Sequence, residues 1–290
     1  MTSVISAWPH PRAETLWAEI CNVQPLSRAL VAEIFEAIDV LCAPNGLSQF
    51  QADEPWYRTW NYVCRHLLPV AELSGWPASE RRALPRNLAC HLLWCHAWRR
   101  LDDVLDVQER SVDAISRAWL FLSMALAATL QSVETDRKDV AALAFEYVAI
   151  TCDTAAVERT LGIAYSDIWK RAAPLLFVPE RMIELPERSI IIYKDYINLA
   201  GLLHDSQDVL DDVARGIRSI PSDWLRTVRE ESALDLCAMN GFFATAESML
   251  SGALETIRAS LGDMQAPIMR LLLGKVELEL GSFRSGARHE

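Results

Sequence analysis

Apolar residues recur at helical spacing along almost all of the 290-residue chain. No run of alternating β-branched and polar residues is long enough to build a sheet. The pattern predicts an all-α protein. Breakers interrupt it at Ala43-Pro44-Asn45-Gly46, Ser74-Gly75-Trp76-Pro77, Ser132 to Asp139, Val178-Pro179, Leu185-Pro186 and Ile220-Pro221-Ser222. Between them fall roughly eight to ten helices, several longer than about 15 residues, the longest expected from Leu84 and from Ser189. No fixed-period repeat and no linker rich in Gly, Ser or Pro divides the chain. Residues 1–290 are therefore read as one large helical domain, with frayed ends at 1–14 and 285–290.

Composition adds that the chain folds and limits what it binds. With 51% hydrophobic residues and only 11 Gly and 13 Pro, it can bury enough surface to offset its ordering entropy. The formal charge of −11 argues against nucleic acid, whose phosphates are bound by clustered Lys and Arg. An anionic ligand would need a local basic patch or a metal ion. The longest uncharged apolar stretch, Ala118 to Leu130, is shorter than the ~20 residues that span a bilayer. Met1 to Glu14 lacks the basic, apolar and small-residue order of a signal peptide, and the expected location is cytoplasmic. Seven cysteines (Cys21, Cys42, Cys64, Cys90, Cys95, Cys152 and Cys237) are odd in number and form no CxxC pair. They read as buried thiols rather than a disulfide framework or a zinc site.

Two acidic clusters stand out from this background. In the first, Asp102, Asp103 and Asp106 lie in an apolar helix beginning near Leu84; at 3.6 residues per turn Asp102 and Asp106 share a face, with Asp103 beside them. Carboxylates this close repel unless a cation joins them. Mg²⁺ takes oxygen ligands and keeps several waters, which suits a carboxylate row facing a phosphate. In the second cluster, His204, Asp208 and Asp212 form an i, i+4, i+8 stripe flanked by Asp205 and Asp211. Zinc is less apt, because it prefers His and Cys and the nearby histidines are only His91, His96 and His204. The alternative reading of each cluster is a solvated helix face.

Trp94 and Trp98 precede Asp102 and Asp106 at successive intervals of four, placing two indoles and two carboxylates on one stripe. Aromatic faces attract cations by about 0.5–2 kcal/mol without supplying a nucleophile. Such a wall suits a carbocation formed as a metal-bound diphosphate leaves an allylic chain. The bland alternative is that both indoles are core residues.

These segments carry a resemblance. Asp102-Asp103-Val104-Leu105-Asp106 is similar to the DDxxD motif of the trans-isoprenyl diphosphate synthase (polyprenyl synthetase) superfamily, the class I terpenoid synthase fold. Leu203 to Asp211 resembles its second motif, FQxxDDxxD, with His204 at the Gln position and Gln207 at the first Asp position. Ile168 to Phe177 resembles the segment whose Lys contacts diphosphate, here Lys170, with Arg171 where Thr is usual. Squalene and phytoene synthases offer a second alignment: His96 to Asp106 resembles their first DxxxD segment, and Gln207 to Gly216 followed by Ile220-Pro221 their second. Both alignments select Asp102, Asp106 and Asp208, and the second adds Asp212. The resemblance spans roughly Arg65 to Pro221 and implies a single large helical bundle of the class I isoprenoid synthase type, in some members dimeric.

The resemblance also implies roles. Asp102, Asp106, Asp208 and Asp212, helped by Asp103, Asp205 or Asp211, would hold two or three Mg²⁺ ions on a prenyl diphosphate. Lys170, Arg171, Arg215 and Arg110 would contact its phosphates, while Trp94, Trp98, Trp169 and His204 would line the prenyl pocket. The basic GGKRxRP segment of chain-elongating members is reduced to Val63-Cys64-Arg65-His66-Leu67-Leu68-Pro69, and the Arg-Arg pair after the first motif to Arg110. A second diphosphate therefore lacks most of its charge-assisted hydrogen bonds, which argues against ordinary elongation. Three readings stay open: a terpene cyclase acting on a C10 to C20 diphosphate; a prenyltransferase using a small-molecule acceptor other than isopentenyl diphosphate; and a non-catalytic helical binding protein.

Overall fold

The computed structural model describes residues 11–42, 56–78, 82–105, 111–133, 139–216, 218–231 and 236–286. The helical periodicity becomes α1 (Pro11–Val23), α2 (Ser27–Cys42), α3 (Trp56–Tyr62), a π-helical turn (Val63–Leu67), α4 (Leu68–Leu73), α5 (Leu84–Leu105), α6 (Val112–Ser132) and α7 (Asp139–Leu161). A 3₁₀ turn (Tyr165–Ala172) follows, then α8 (Pro174–Arg181), α9 (Glu187–Gln207), α10 (Val209–Arg215), α11 (Ile220–Glu231), α12 (Leu236–Leu261) and α13 (Pro267–Gly286). Among the described residues there is no strand, and the protein is all-α. Within the expected frayed stretch 1–14, residues from Pro11 onward are helical.

Two details depart from the breaker pattern. Pro179 lies inside α8 rather than ending it. Every residue from Pro174 to Pro179 is buried, and tertiary packing of this kind overrides propensity. Among the described residues the longest helix is α12, at 26 residues, although Gly241 and Gly252 interrupt its pattern in the sequence. The chain's contacts gather into two units. The first comprises 1–149, 173–190 and 265–269; the second comprises 150–172, 191–264 and 270–290.

The first unit is organised around α5, which packs most extensively on α6, then on α2 and α8. All ten residues from Leu88 to Ala97 are buried, as befits a helix enclosed on every side. Its last turns emerge, and Trp98, Arg99 and 101–105 are half-buried. Trp17 meets Trp60 edge to face at 5.1 Å, and Phe35 meets Trp60 at 5.5 Å, so these indoles serve packing. The start of α13 is fixed by Glu72, a buried carboxylate that accepts the Ile268 N–H at 2.8 Å and the Met269 N–H at 2.9 Å. It meets the positive end of a helix dipole and satisfies two otherwise unpaired donors.

By length and composition alone, α6 and the first 20 residues of α7 are apolar enough to cross a membrane. Helix α6 begins on Ser111, whose Oγ accepts the Ala114 N–H at 3.1 Å. Ser111→Ala is expected to cost about 1 kcal/mol in urea unfolding, the usual worth of an N-cap.

In the second unit, α9 is buried on more than one side: Tyr193 lies opposite Leu202, whose side of the helix also carries Asn198 and Asp205. Helix α10 joins Val209 to a small core with Leu225 and Ala246, against which Val213 and Trp224 pack. The chain then turns at Gly216, φ 72°, which bonds back to the Asp212 and Val213 carbonyls; only glycine adopts this backbone without strain. Ser219 and Ser222 open α11 reciprocally: the Ser219 N–H donates to Ser222 Oγ at 2.7 Å and the Ser222 N–H to Ser219 Oγ at 3.4 Å. This is capping-box geometry with serine in place of the usual Glu.

Candidate functional site

The first acidic segment stands where α5 leaves the core of the first unit. Asp102 and Asp103 occupy the last turn, at the negative end of the helix dipole, where no basic residue lies. Arginines one turn back compensate them. Arg99 Nη1 is 2.9 Å from Asp102 Oδ2 and its Nη2 is 2.9 Å from Asp103 Oδ1, while Arg100 Nη1 is 3.6 Å from Asp103 Oδ2. Reading the acids alone passed over these counter-ions, although the i, i+3 and i, i+4 spacing signals them. Asp106 and Arg110 lie outside the described residues.

The stripe Trp94, Trp98, Asp102 runs from the core to the surface. Trp94 is 2% exposed; its indole N–H donates to Thr129 Oγ1 at 3.0 Å and its ring meets Phe177 at 5.2 Å. It is a packed and satisfied core residue, whereas Trp98 is half-buried. Of the neighbouring histidines, His91 and His96 are buried and His66 is half-buried. Burial, then the Arg65 charge, pushes His66 down to about 3, and burial, then His66, does the same to His91. Both imidazoles are neutral near pH 7. His96 Nε2 lies 3.2 Å from Thr59 Oγ1. Burial pushes the thiols of Cys42 and Cys64 up to about 12 and that of Cys90 to about 11, so they stay protonated and unreactive. Cys21, Cys42, Cys64, Cys90, Cys95 and Cys152 are free thiols.

The second acidic segment belongs to the second unit. The expected continuous helix is interrupted at Asp208, with φ −96° and ψ 5°, between α9 and α10. Bonds from the Asp208 N–H to the His204 carbonyl at 3.1 Å and from the Asp212 N–H to the Asp208 carbonyl at 2.9 Å carry the helical path across. His204 is exposed and its Nδ1 lies 3.4 Å from Asp208 Oδ2. Asp212 accepts Ser219 Oγ–H at 2.9 Å. Burial raises its carboxyl above the usual range; the Ser219 bond opposes this, and the charges of Asp205 and Asp208 add to it. Asp211 and Arg215 are placed in α10 by backbone alone.

Asp205 is buried and bound to Arg171 through two contacts, Nη1 to Oδ1 at 3.3 Å and Nη2 to Oδ2 at 2.6 Å. Arg171 Nη1 also lies 3.4 Å from Glu158 Oε1, a carboxylate outside both acidic clusters that no local spacing signals. Lys170 pairs instead with Asp167 at 2.9 Å. Trp169, expected in a prenyl pocket, lies under Lys194, whose Nζ is 4.7 Å from the ring centroid.

One further carboxyl, Asp195, is half-buried on α9, and burial raises it above the usual range; together with burial it pushes Tyr165 up to about 12. A raised folded-state value means that Asp195 supports the fold below the ordinary carboxylate pKa near 4 and loses that support as pH rises through its folded value. Asp195→Asn is therefore expected to unfold at higher urea than the parent at pH 7, with the difference gone at pH 3. Lower stability of the variant at pH 7 would contradict this.

A donor set of carboxylate oxygens fits a hard divalent ion. Among the described residues no three His, Cys, Asp or Glu side chains converge as a ready-made metal cage, but Mg²⁺ needs only one or two carboxylates when phosphates and waters complete its shell. The chain matches no family model, no curated protein and no solved structure.

Proposed function

We propose that the protein is a Mg²⁺-dependent enzyme that ionises an allylic prenyl diphosphate of C10 to C20, a terpene synthase that releases diphosphate, on a helical bundle of the class I isoprenoid synthase type. The observation that carries the reading is the arrangement on α9 and α10. Asp212 is half-buried, bonded to Ser219 and within the field of Asp205 and Asp208, with Arg171 bound to Asp205. Asp102 and Asp103, gathered at the end of α5 by Arg99, support the same reading, as does the likeness of both segments to Asp-rich prenyl-diphosphate motifs.

Asp208 and Asp212 would hold Mg²⁺ within the second segment, and Asp102 and Asp103 would do so within the first. An ion bound there would neutralise charge on a departing diphosphate. Ser219 orients the Asp212 carboxylate through its 2.9 Å bond. Arg171, already anchored on Asp205, presents a planar guanidinium suited to phosphate oxygens, and Lys170, paired with Asp167 at 2.9 Å, adds a second positive charge. Trp98 supplies an aromatic face that shields a cation from water without attacking it.

Isothermal titration with inorganic pyrophosphate and Mg²⁺ tests the reading. Binding that disappears when EDTA replaces Mg²⁺ supports it; folded protein that binds neither supports the non-catalytic alternative. A volatile hydrocarbon or alcohol formed from one substrate marks a cyclase, whereas a product formed only with a second substrate marks a prenyltransferase.

A further inference from the structure

The 3₁₀ turn that carries Lys170 and Arg171 is gripped by four residues on one face of α9. Lys194, Asn198, Gly201 and Asp205 follow at i, i+4, i+7 and i+11, the spacing of a single helical stripe. Lys194 lies over the Trp169 ring at 4.7 Å. Asn198, 3% exposed, accepts the Trp169 N–H through Oδ1 at 2.7 Å. At Gly201 an added Cβ would stand 2.5 Å from Ile168 Cγ2, so only glycine lets the turn come this close. Asp205 takes Arg171. From α7, Thr151 Oγ1 donates to the Lys170 carbonyl at 3.1 Å.

A short 3₁₀ segment has poor hydrogen-bond geometry and little stability of its own. Its shape must come from these contacts. Two of them hold its backbone directly, Thr151 at the Lys170 carbonyl and Asn198 at the Trp169 N–H, and only Asn198 does so from α9. We propose that Asn198 is a positioning residue that fixes the Trp169-Lys170-Arg171 backbone so that both basic side chains meet a diphosphate together. The inference rests on the diphosphate reading above. A preset pair of cations loses less entropy on binding than a loose one, and Asn198 acts through Trp169 without touching ligand.

The test compares Asn198→Leu, which keeps the shape and loses the acceptor, with Asn198→Asp, which keeps an acceptor oxygen. Affinity for inorganic pyrophosphate with Mg²⁺ is measured by calorimetry, and exchange of the Trp169 amide by hydrogen–deuterium mass spectrometry. The expected result is a roughly tenfold weaker Kd and faster Trp169 exchange in Asn198→Leu, with Asn198→Asp restoring most of both. Parent-like pyrophosphate affinity in Asn198→Leu despite faster exchange overturns the inference alone, as does an Asn198→Asp protein no better than the leucine variant. A parent protein that binds no pyrophosphate overturns the diphosphate reading, and this inference with it. Should Asn198→Leu fail to fold, Gly201→Ala, which displaces Ile168 from the same turn, is expected to weaken pyrophosphate in its place, and parent-like affinity there overturns the inference.

Discussion

Glu72→Ala is expected to destabilise the protein by about 3–5 kcal/mol. The variant leaves the Ile268 and Met269 N–H groups without their acceptor, and both residues are fully buried. Each stranded donor costs about 1–3 kcal/mol, and losing a negative charge at a helix N-terminus adds up to about 2. Relief of the carboxylate's own desolvation offsets part of this. Glu72→Gln is expected to fall between, because its carbonyl still accepts one N–H while its amide opposes the other. Urea unfolding measures both, and a Glu72→Ala midpoint within about 1 kcal/mol of the parent would contradict the role given to Glu72.

Asp102→Asn is expected to slow diphosphate release at least about 100-fold, equivalent to about 2.7 kcal/mol of transition-state stabilisation. The amide removes one oxygen charge from the segment proposed to hold Mg²⁺ and keeps its volume. Stability should move little, since the Arg99 pair is partly exposed and such pairs contribute about 0–1 kcal/mol. Asp113→Asn is the matched control. Asp113 is also an acid on an apolar helix, paired with Arg117 at 2.7 Å, and its loss should leave release unchanged. Equal rates in the parent and Asp102→Asn would remove the first segment from the mechanism.

Helical class and most boundaries were legible because they depend on local pattern. The breaks at Ser132 to Asp139, Leu185-Pro186 and Ile220-Pro221 all separate helices or open one. Pro179 was misread because its burial in α8 is a tertiary property. The acids of the candidate site were legible as spacing, but their partners were not. Arg171 meets Asp205 from 34 residues away and Glu72 meets Ile268 from 196 away, and no local window contains such pairs. The π turn at Arg65 and His66 and the break at Asp208 were likewise invisible, because a residue pattern at 3.6 spacing survives one shifted hydrogen bond. Trp94 was ambiguous in principle: a stripe of indoles reads the same whether it faces Phe177 or a ligand.

The most direct measurement is diphosphate release from geranyl, farnesyl and geranylgeranyl diphosphate by the folded protein, with Mg²⁺ and with EDTA. The expected result is stoichiometric release from at least one of the three, dependent on Mg²⁺ and lost in EDTA. No release from any of them by protein that is folded and supplied with Mg²⁺ would contradict the proposed enzyme.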